Sequence, residues 1–204
     1  NALVWMGDYD AMKLQVDAIL EKEVNCIKLK IGGIDFDKEL EILHHIRKYR
    51  NERTLTIRLD ANGAFSASDA LDKIKLLSEY QIHSIEQPIK PNQIEALAPI
   101  IQSSAIPIAL DEELIGKIEY KEKWTLLDRL NPRYIVLKPA LHGGILGCEE
   151  WIFIANHMKI GWWVTSALES NIGLNAIAQW CSKYEKCYEI PQGLGTGQLY
   201  ANNF

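Results

Sequence analysis

The 204-residue chain alternates between two hydrophobic periods. Short aliphatic or β-branched runs, "ALVWM", "CIKLKI", "TIRLDA", "IHSIEQ", "IPIALD", "YIVLKP", "WWVTS" and "CYEIP", read as strands. Between them lie longer stretches of helical period, such as "FDKELEILHHIRKYR" and "SDALDKIKLLSEY". Helix starts are marked by Asp35, by Ser66 or Ser68, and by Asn92, while Gly32, Gly33, Gly143 and Gly144 fall in turns. Alternating strand and helix implies parallel strands joined by right-handed crossovers.

Parity within the strands separates two faces. Ile27 with Leu29 and Ile31, Ile57 with Leu59, Ile108 with Leu110, and Ile135 with Leu137 form apolar faces that would pack against helices. The opposite face carries Lys28 and Lys30, Arg58 and Asp60, Ser84 and Glu86, Ala109 and Asp111, Val136 and Lys138. The polar residues ending the strands recur at a near-constant interval: from Lys30 the steps to Asp60, Glu86, Asp111, Lys138 and Ser166 are 30, 26, 25, 27 and 28 residues. That interval is one βα unit, so each side chain occupies the same place in successive units. Eight strands with seven helices predict an α/β fold of TIM type, a (β/α)7β barrel with its last helix absent or abbreviated. A doubly wound open sheet is the alternative, although it would not need a polar residue at the end of nearly every strand. In such barrels the site lies at the C-terminal ends of the strands, where these residues fall.

Composition narrows the setting. With 48% hydrophobic residues the chain can bury a substantial core and is most simply one domain, residues 1–204. No apolar run approaches the roughly 18 residues of a spanning helix, and no targeting segment is visible. The net charge is −5, and Lys and Arg are dispersed, which argues against nucleic acid or an anionic membrane as partner. Cys26, Cys148, Cys181 and Cys187 show neither CxxC pairing nor zinc spacing, so reduced, mostly buried thiols and a cytoplasmic location are expected. The first residue is Asn rather than Met, as expected where an upstream part is missing.

Lys28 and Lys30 pose the chemical question, since two ammonium groups sit in an apolar strand where desolvation is costly. Asp60, Glu86 and Asp111 from the next three strands would face the same mouth, and three carboxylates repel unless a cation intervenes. Hard oxygen ligands on separate strands suit Mg²⁺ with positions left for water or substrate. The metal and the paired amines would depress each other's pKa, giving a lysine able to act as a base. Lys138 would enter from the far side. A lone strand-end Asp or Lys is most simply an ion pair at a rim; six in phase over five consecutive units point to chemistry. "GLGTG" at 193–197 looks like a phosphate loop, but "QLYANNF" after it leaves no room for the helix that motif needs, so a loop is expected. His44, His45 and His83 are expected in surface or packing roles, and the six Trp mostly in the core.

"KLK" at 28–30, "DAN" at 60–62, "EQP" at 86–88, "DEE" at 111–113 and "KP" at 138–139 resemble the enolase superfamily, in its muconate-lactonizing-enzyme-like branch. Within it, "LKPALHGG" and "TSALESNIGLNAIAQW" resemble the o-succinylbenzoate-forming dehydratases of menaquinone biosynthesis. The similarity extends over essentially the whole chain. It implies a Mg²⁺-dependent syn dehydration of 2-succinyl-6-hydroxy-2,4-cyclohexadiene-1-carboxylate, a small-molecule carboxylate. Asp60, Glu86 and Asp111 would hold Mg²⁺, and the metal the substrate carboxylate. Lys30 would take the α-proton, Mg²⁺ and Lys138 would stabilise the enediolate, and the protonated Lys30 would assist departure of the hydroxyl on the same face. Lys28 would tune Lys30, and Lys138 would also make a cation–π contact with the ring. Asn62 and Gln87 would support the ligands, while Gly143, Gly144, Ser166 and Glu169 would border the substrate.

The family adds an N-terminal capping domain over the barrel mouth. Nothing here corresponds to it, so the chain is expected to be the barrel portion of a longer protein. A dipeptide epimerase or N-acylamino acid racemase would use the same metal with Lys30 and Lys138 as two bases. Epimerases of this branch typically carry an Asp-x-Asp element after the last strand, where this chain reads "PQGLGTG". A non-catalytic barrel that binds metal or a ligand without turnover is the remaining alternative, against which stands the presence of all five charged positions.

Overall fold

The computed structural model describes residues 1–196, so Gly197 and the "QLYANNF" stretch lie outside the described residues. The chain divides into two compact units, one running from Ala2 to Ala109 and one comprising Asn1 and the chain from Leu110 onward.

In the Ala2–Ala109 unit, β1 (Ala2–Val4), β2 (Cys26–Lys30), β3 (Thr56–Asp60), β4 (Ser84–Glu86) and β5 (Ile108–Leu110, whose last residue belongs to the other unit) alternate with helices. These are α1 (Tyr9–Leu20), α2 (Phe36–Tyr49), α3 (Ala70–Leu77) and α4 (Ile94–Ser103). Each of β1 to β4 pairs its successor in parallel, as the alternating pattern requires. The register puts Leu3, Lys28, Arg58 and Ser84 in one cross-strand row and Lys30, Asp60, Glu86 and Ala109 in the next polar row. Leu29, Leu59 and Ile85 between those rows and Ile27 and Ile57 one row before them are buried, as are Met12, Val16, Ile42, Leu43, Ile46, Ile74 and Leu97 on the helices. Burial of each such side chain contributes about 1.5–3 kcal/mol, which is what fixes the register.

Helix starts follow local hydrogen bonding. Asp35 caps α2 by accepting the Asp37 N–H at 3.0 Å, as expected. Ser66 instead opens a turn ahead of α3, donating to Asp69 Oδ1 at 2.6 Å, and Asp69 takes the cap position. Asn92 is left-handed at φ 65° and makes the bend before α4, whose cap position is Gln93.

The second unit contains a 3₁₀ turn at Glu112–Leu114, α5 (Tyr120–Leu130), β6 (Tyr134–Leu137), α6 (Gly144–His157), β7 (Gly161–Val164), α7 (Asn171–Cys181) and α8 (Lys186–Glu189). Strands β6 and β7 are parallel. Gly143 (φ 84°) and Gly144 (φ 73°) supply the left-handed turn that opens α6. Trp151, Trp162, Trp163 and Trp180 are buried, and no helix among the described residues is long and apolar enough to cross a membrane.

The expected strand at "CYEIP" is not formed. Those residues enter α8, with the Tyr188 N–H donating to Glu185 O at 2.9 Å and the Ile190 N–H to Lys186 O at 3.1 Å. A run this short has no periodicity with which to distinguish strand from helix. The edge of β7 is met just afterwards. The Gly193 N–H donates to Val164 O at 2.8 Å, the Ser166 N–H donates to Gly193 O at 3.3 Å, and the Val164 N–H donates to the Gln192 side-chain oxygen at 2.7 Å. Glycine is required there, because a Cβ on Gly193 would lie 2.5 Å from Thr165 Oγ1. Among the described residues, the eighth strand is represented by the parallel bridge between Thr165 and Gly193.

Candidate active site

In the Ala2–Ala109 unit, parallel register brings four predicted site residues together. The Lys28 ammonium donates to Glu86 Oε1 and Oε2 at 2.8 and 3.0 Å and lies 2.8 Å from Asp60 Oδ2. The Lys30 ammonium donates to the same Asp60 oxygen at 2.7 Å and to Asn62 Oδ1 at 2.5 Å. Asp60 and Glu86 are each 1% exposed. Desolvation would raise the Asp60 pKa, but the charges and hydrogen bonds of Lys28 and Lys30 outweigh it and hold the carboxyl well below the usual range. The two lysines of one strand face are therefore answered by carboxylates of the next two strands.

The turns after these strands are built to hold that arrangement. Asn62 adopts a left-handed φ of 44°, with its N–H donating to Asp60 Oδ1 at 3.1 Å. Gln87, fully buried at φ 41°, donates its side-chain amide to Ile89 O at 3.0 Å and accepts the Gly63 N–H at its carbonyl at 2.7 Å. Both thus support the strand ends.

In the second unit, Asp111 directly follows β5 and is fully buried, and Lys138 directly follows β6 and donates from Nζ to Asp111 Oδ2. Sequence reasoning passed over His142, although it lies four residues after Lys138 in "LKPALHGG". Its Nδ1 accepts the Lys138 N–H at 3.0 Å while its backbone N–H donates to Lys138 O at 3.0 Å, so the residue holds Lys138 at both its N–H and its carbonyl. Burial lowers the His142 pKa to about 4, the nearby Asp111 carboxylate only partly opposing it. The imidazole is neutral at physiological pH, and the bond accepted at Nδ1 places its proton on Nε2.

Of the weaker candidates, Ser166 is buried and shares a hydrogen bond with Thr196 Oγ1, and its Oγ accepts the Leu168 N–H at 3.1 Å. Glu169 accepts the Ala167 N–H at 2.8 Å. Both contacts order the loop after β7, and Gly143 and Gly144 shape the entry to α6. His44 is exposed, His45 pairs with Asp17 at 2.6 Å, and His83 contacts Ser84 at 3.0 Å, in keeping with surface and packing roles. Cys26, Cys148 and Cys181 are buried free thiols.

Asp60, Glu86 and Asp111 each offer a buried carboxylate oxygen of the kind a hard divalent cation takes. Lysine pairing shows how strongly the protein must compensate Asp60 and Glu86. As a donor set, three acids fit Mg²⁺ and lack the sulfur or imidazole that would favour zinc or copper.

The family described as enolase C-terminal domain-like matches residues 11–198. The chain is 50% identical over 203 residues to o-succinylbenzoate synthase of Desulfotalea psychrophila, covering 100% of this chain and 54% of that protein. It is 31% identical over 172 residues to D-Ala-D/L-Ala epimerase of Cytophaga hutchinsonii, covering 81% and 44%. The crystal structure of MenC from Desulfotalea psychrophila superposes with a TM-score of 0.88 at 48% identity, covering 100% of this chain and 56% of that one. The chain spans about half the length of the curated relatives it matches.

Proposed function

The chain belongs to the enolase C-terminal domain-like family, and from that premise we propose that the protein carrying it is an o-succinylbenzoate synthase. It would dehydrate 2-succinyl-6-hydroxy-2,4-cyclohexadiene-1-carboxylate with Mg²⁺ as cofactor. The observation that carries this reading is the 50% identity over the whole chain to o-succinylbenzoate synthase, against 31% over a shorter span to an epimerase. In the same reading the seven parallel strands belong to a (β/α)7β barrel acting beneath a capping domain, in the cytoplasm, on a small carboxylate.

Asp60, Glu86 and Asp111 would hold the metal. Support comes from their burial, their recurrence at the ends of successive strands, and the continuity of β5, which pairs beside Glu86 at Ala109 and reaches Asp111 two residues later. When bound, Mg²⁺ supplies a Lewis acid that orients the substrate carboxylate and offsets charge developing on it. Lys30 would take the α-proton on Nζ and return it to the departing hydroxyl, so one amine serves both halves of a syn elimination. Asn62, bonded to Lys30 Nζ, would aim that amine. Lys28 would keep Asp60 and Glu86 compensated beside Lys30. Lys138, held through His142, would place an ammonium against negative charge on the opposite face. Gln87, Gly143, Gly144, Ser166 and Glu169 would order the surrounding turns.

An epimerase would share every group up to proton abstraction and then use Lys138 to return a proton from the other face. Incubation with the cyclohexadiene carboxylate and Mg²⁺, beside a dipeptide epimerisation assay, separates the two. Dehydration with little epimerisation is expected, and the reverse would replace the proposal with the epimerase. Turnover of neither substrate would favour a barrel that binds without catalysis.

A further inference from the structure

Glu39 lies nine residues beyond Lys30, on the first turns of α2, and is 1% exposed. Its carboxylate reaches back to the turn that leaves β2. Burial pushes the carboxyl's pKa up on balance, and the Gly32 N–H, which Oε1 accepts at 2.5 Å, together with the Ile34 and Gly33 amides offsets part of that rise. An acid this deeply buried is costly to keep unless it does something an apolar residue cannot.

What it holds is one layer of a stack. The Ile31 N–H donates to Asp60 O at 2.9 Å, so the turn after Lys30 lies on the end of β3. Gly32 has φ 88°, and a Cβ there would come 2.3 Å from the Ala64 side chain, so the turn presses against the one that carries Asn62. That second turn is fixed in its own right, with Ala64 N–H to Ala61 O at 2.9 Å and Gly63 N–H to Gln87 O at 2.7 Å. A Cβ on Gly63 would approach the Lys90 backbone to 2.9 Å. The layer next to Lys30 is locked by a side-chain carboxylate that comes from α2, at Gly32.

We propose that Glu39 is a positioning residue for Lys30, its buried carboxylate fixing the Gly32 turn so that the Lys30 amine keeps its place between Asp60 and Asn62. This rests on Lys30 being the base that takes the substrate proton. The alternative is that Glu39 only steadies the start of α2, where any negative charge near the helix N-terminus is favourable.

The two are separated in the Mg²⁺-loaded whole protein that carries this chain, using Glu39→Asp, Glu39→Leu and Glu39→Gln. Aspartate keeps the charge but falls short of Gly32, leucine keeps the bulk without an acceptor, and glutamine keeps an acceptor at the same reach. A displaced reacting group costs up to roughly 100-fold in rate, so kcat is expected to fall about 10- to 100-fold in the Asp and Leu variants with KM changed much less. Glutamine is expected to recover most of that loss. If the Asp variant keeps kcat while only melting temperature responds, if kcat and KM change alike, or if glutamine is as impaired as leucine, the proposal is overturned. Should leucine prevent folding, the Asp and Gln pair still decides it. Failure of the underlying reading is recognised separately, as substantial turnover by Lys30→Ala.

Discussion

Lys28 and Lys30 stand two residues apart on one strand face but in different surroundings. The Lys28 side chain is 8% exposed and shared between Asp60 and Glu86, whereas that of Lys30 is 19% exposed and divided between Asp60 and Asn62. Removing one member of a buried ion pair leaves the other uncompensated, at a cost of roughly 3–5 kcal/mol. In chelator-treated protein, Lys28→Ala is therefore expected to lose about that much in urea unfolding and Lys30→Ala clearly less, while Lys30→Ala alone loses turnover without losing Mg²⁺ binding. Equal destabilisation by the two would contradict the distinction. The places of the lysines and acids were readable from strand parity and spacing, and those of the glycines from turn chemistry. His142 was not, because its role depends on the chain folding back on Lys138, which no local period records. With its folded pKa near 4 against about 6.5 when unfolded, the unfolded chain binds more protons between those values. Stability attributable to His142 is thus complete above pH 6.5 and drains away towards pH 4, by on the order of 3 kcal/mol. Denaturation of wild type and His142→Asn across that window should converge as pH falls; parallel curves would reject the assignment.

At the scale of elements, β2 to β6 were legible because an apolar face alternates with one that carries a polar residue at or just beyond the strand end, although the fold buries both faces. Ile27 and Leu29 against Lys28 and Lys30 show the rule plainly. Helix boundaries were less so: Ser66 and Asn92 have cap chemistry, but Ser66 spends it on a preceding turn and Asn92 on a left-handed bend. The "CYEIP" segment was misread since four helical residues carry no period, and its place beside β7 is taken by Gln192 and Gly193. Helix α6 shows packing overriding propensity. Replacing an interior helical glycine by alanine ordinarily stabilises by about 1 kcal/mol. At Gly147 the new Cβ would lie 2.0 Å from His142 O, so the helix must back away from the loop that clamps Lys138. Gly147→Ala is expected to destabilise by about 1–3 kcal/mol in chemical denaturation and to lower turnover. A gain in stability would show that the loop yields freely.

Over the whole molecule, one family accounts for residues 11–198, and the polar positions that mark its successive βα units are the ones to which chemistry is assigned. That correspondence was visible in the sequence because the proposed chemistry occupies a fixed place in a repeated unit, whereas the proposed reaction rests on relatives about twice as long. The account rests on Asp60, Glu86 and Asp111 serving a single divalent ion. Calorimetric titration of the whole protein with Mg²⁺, repeated for Asp60→Asn, Glu86→Gln and Asp111→Asn, tests this directly. One ion per chain is predicted, with each substitution weakening it by upward of roughly 100-fold, since residues that only support a ligand already cost 10- to 100-fold. Wild-type affinity in any one of the three variants, or no Mg²⁺ binding at all, would contradict it.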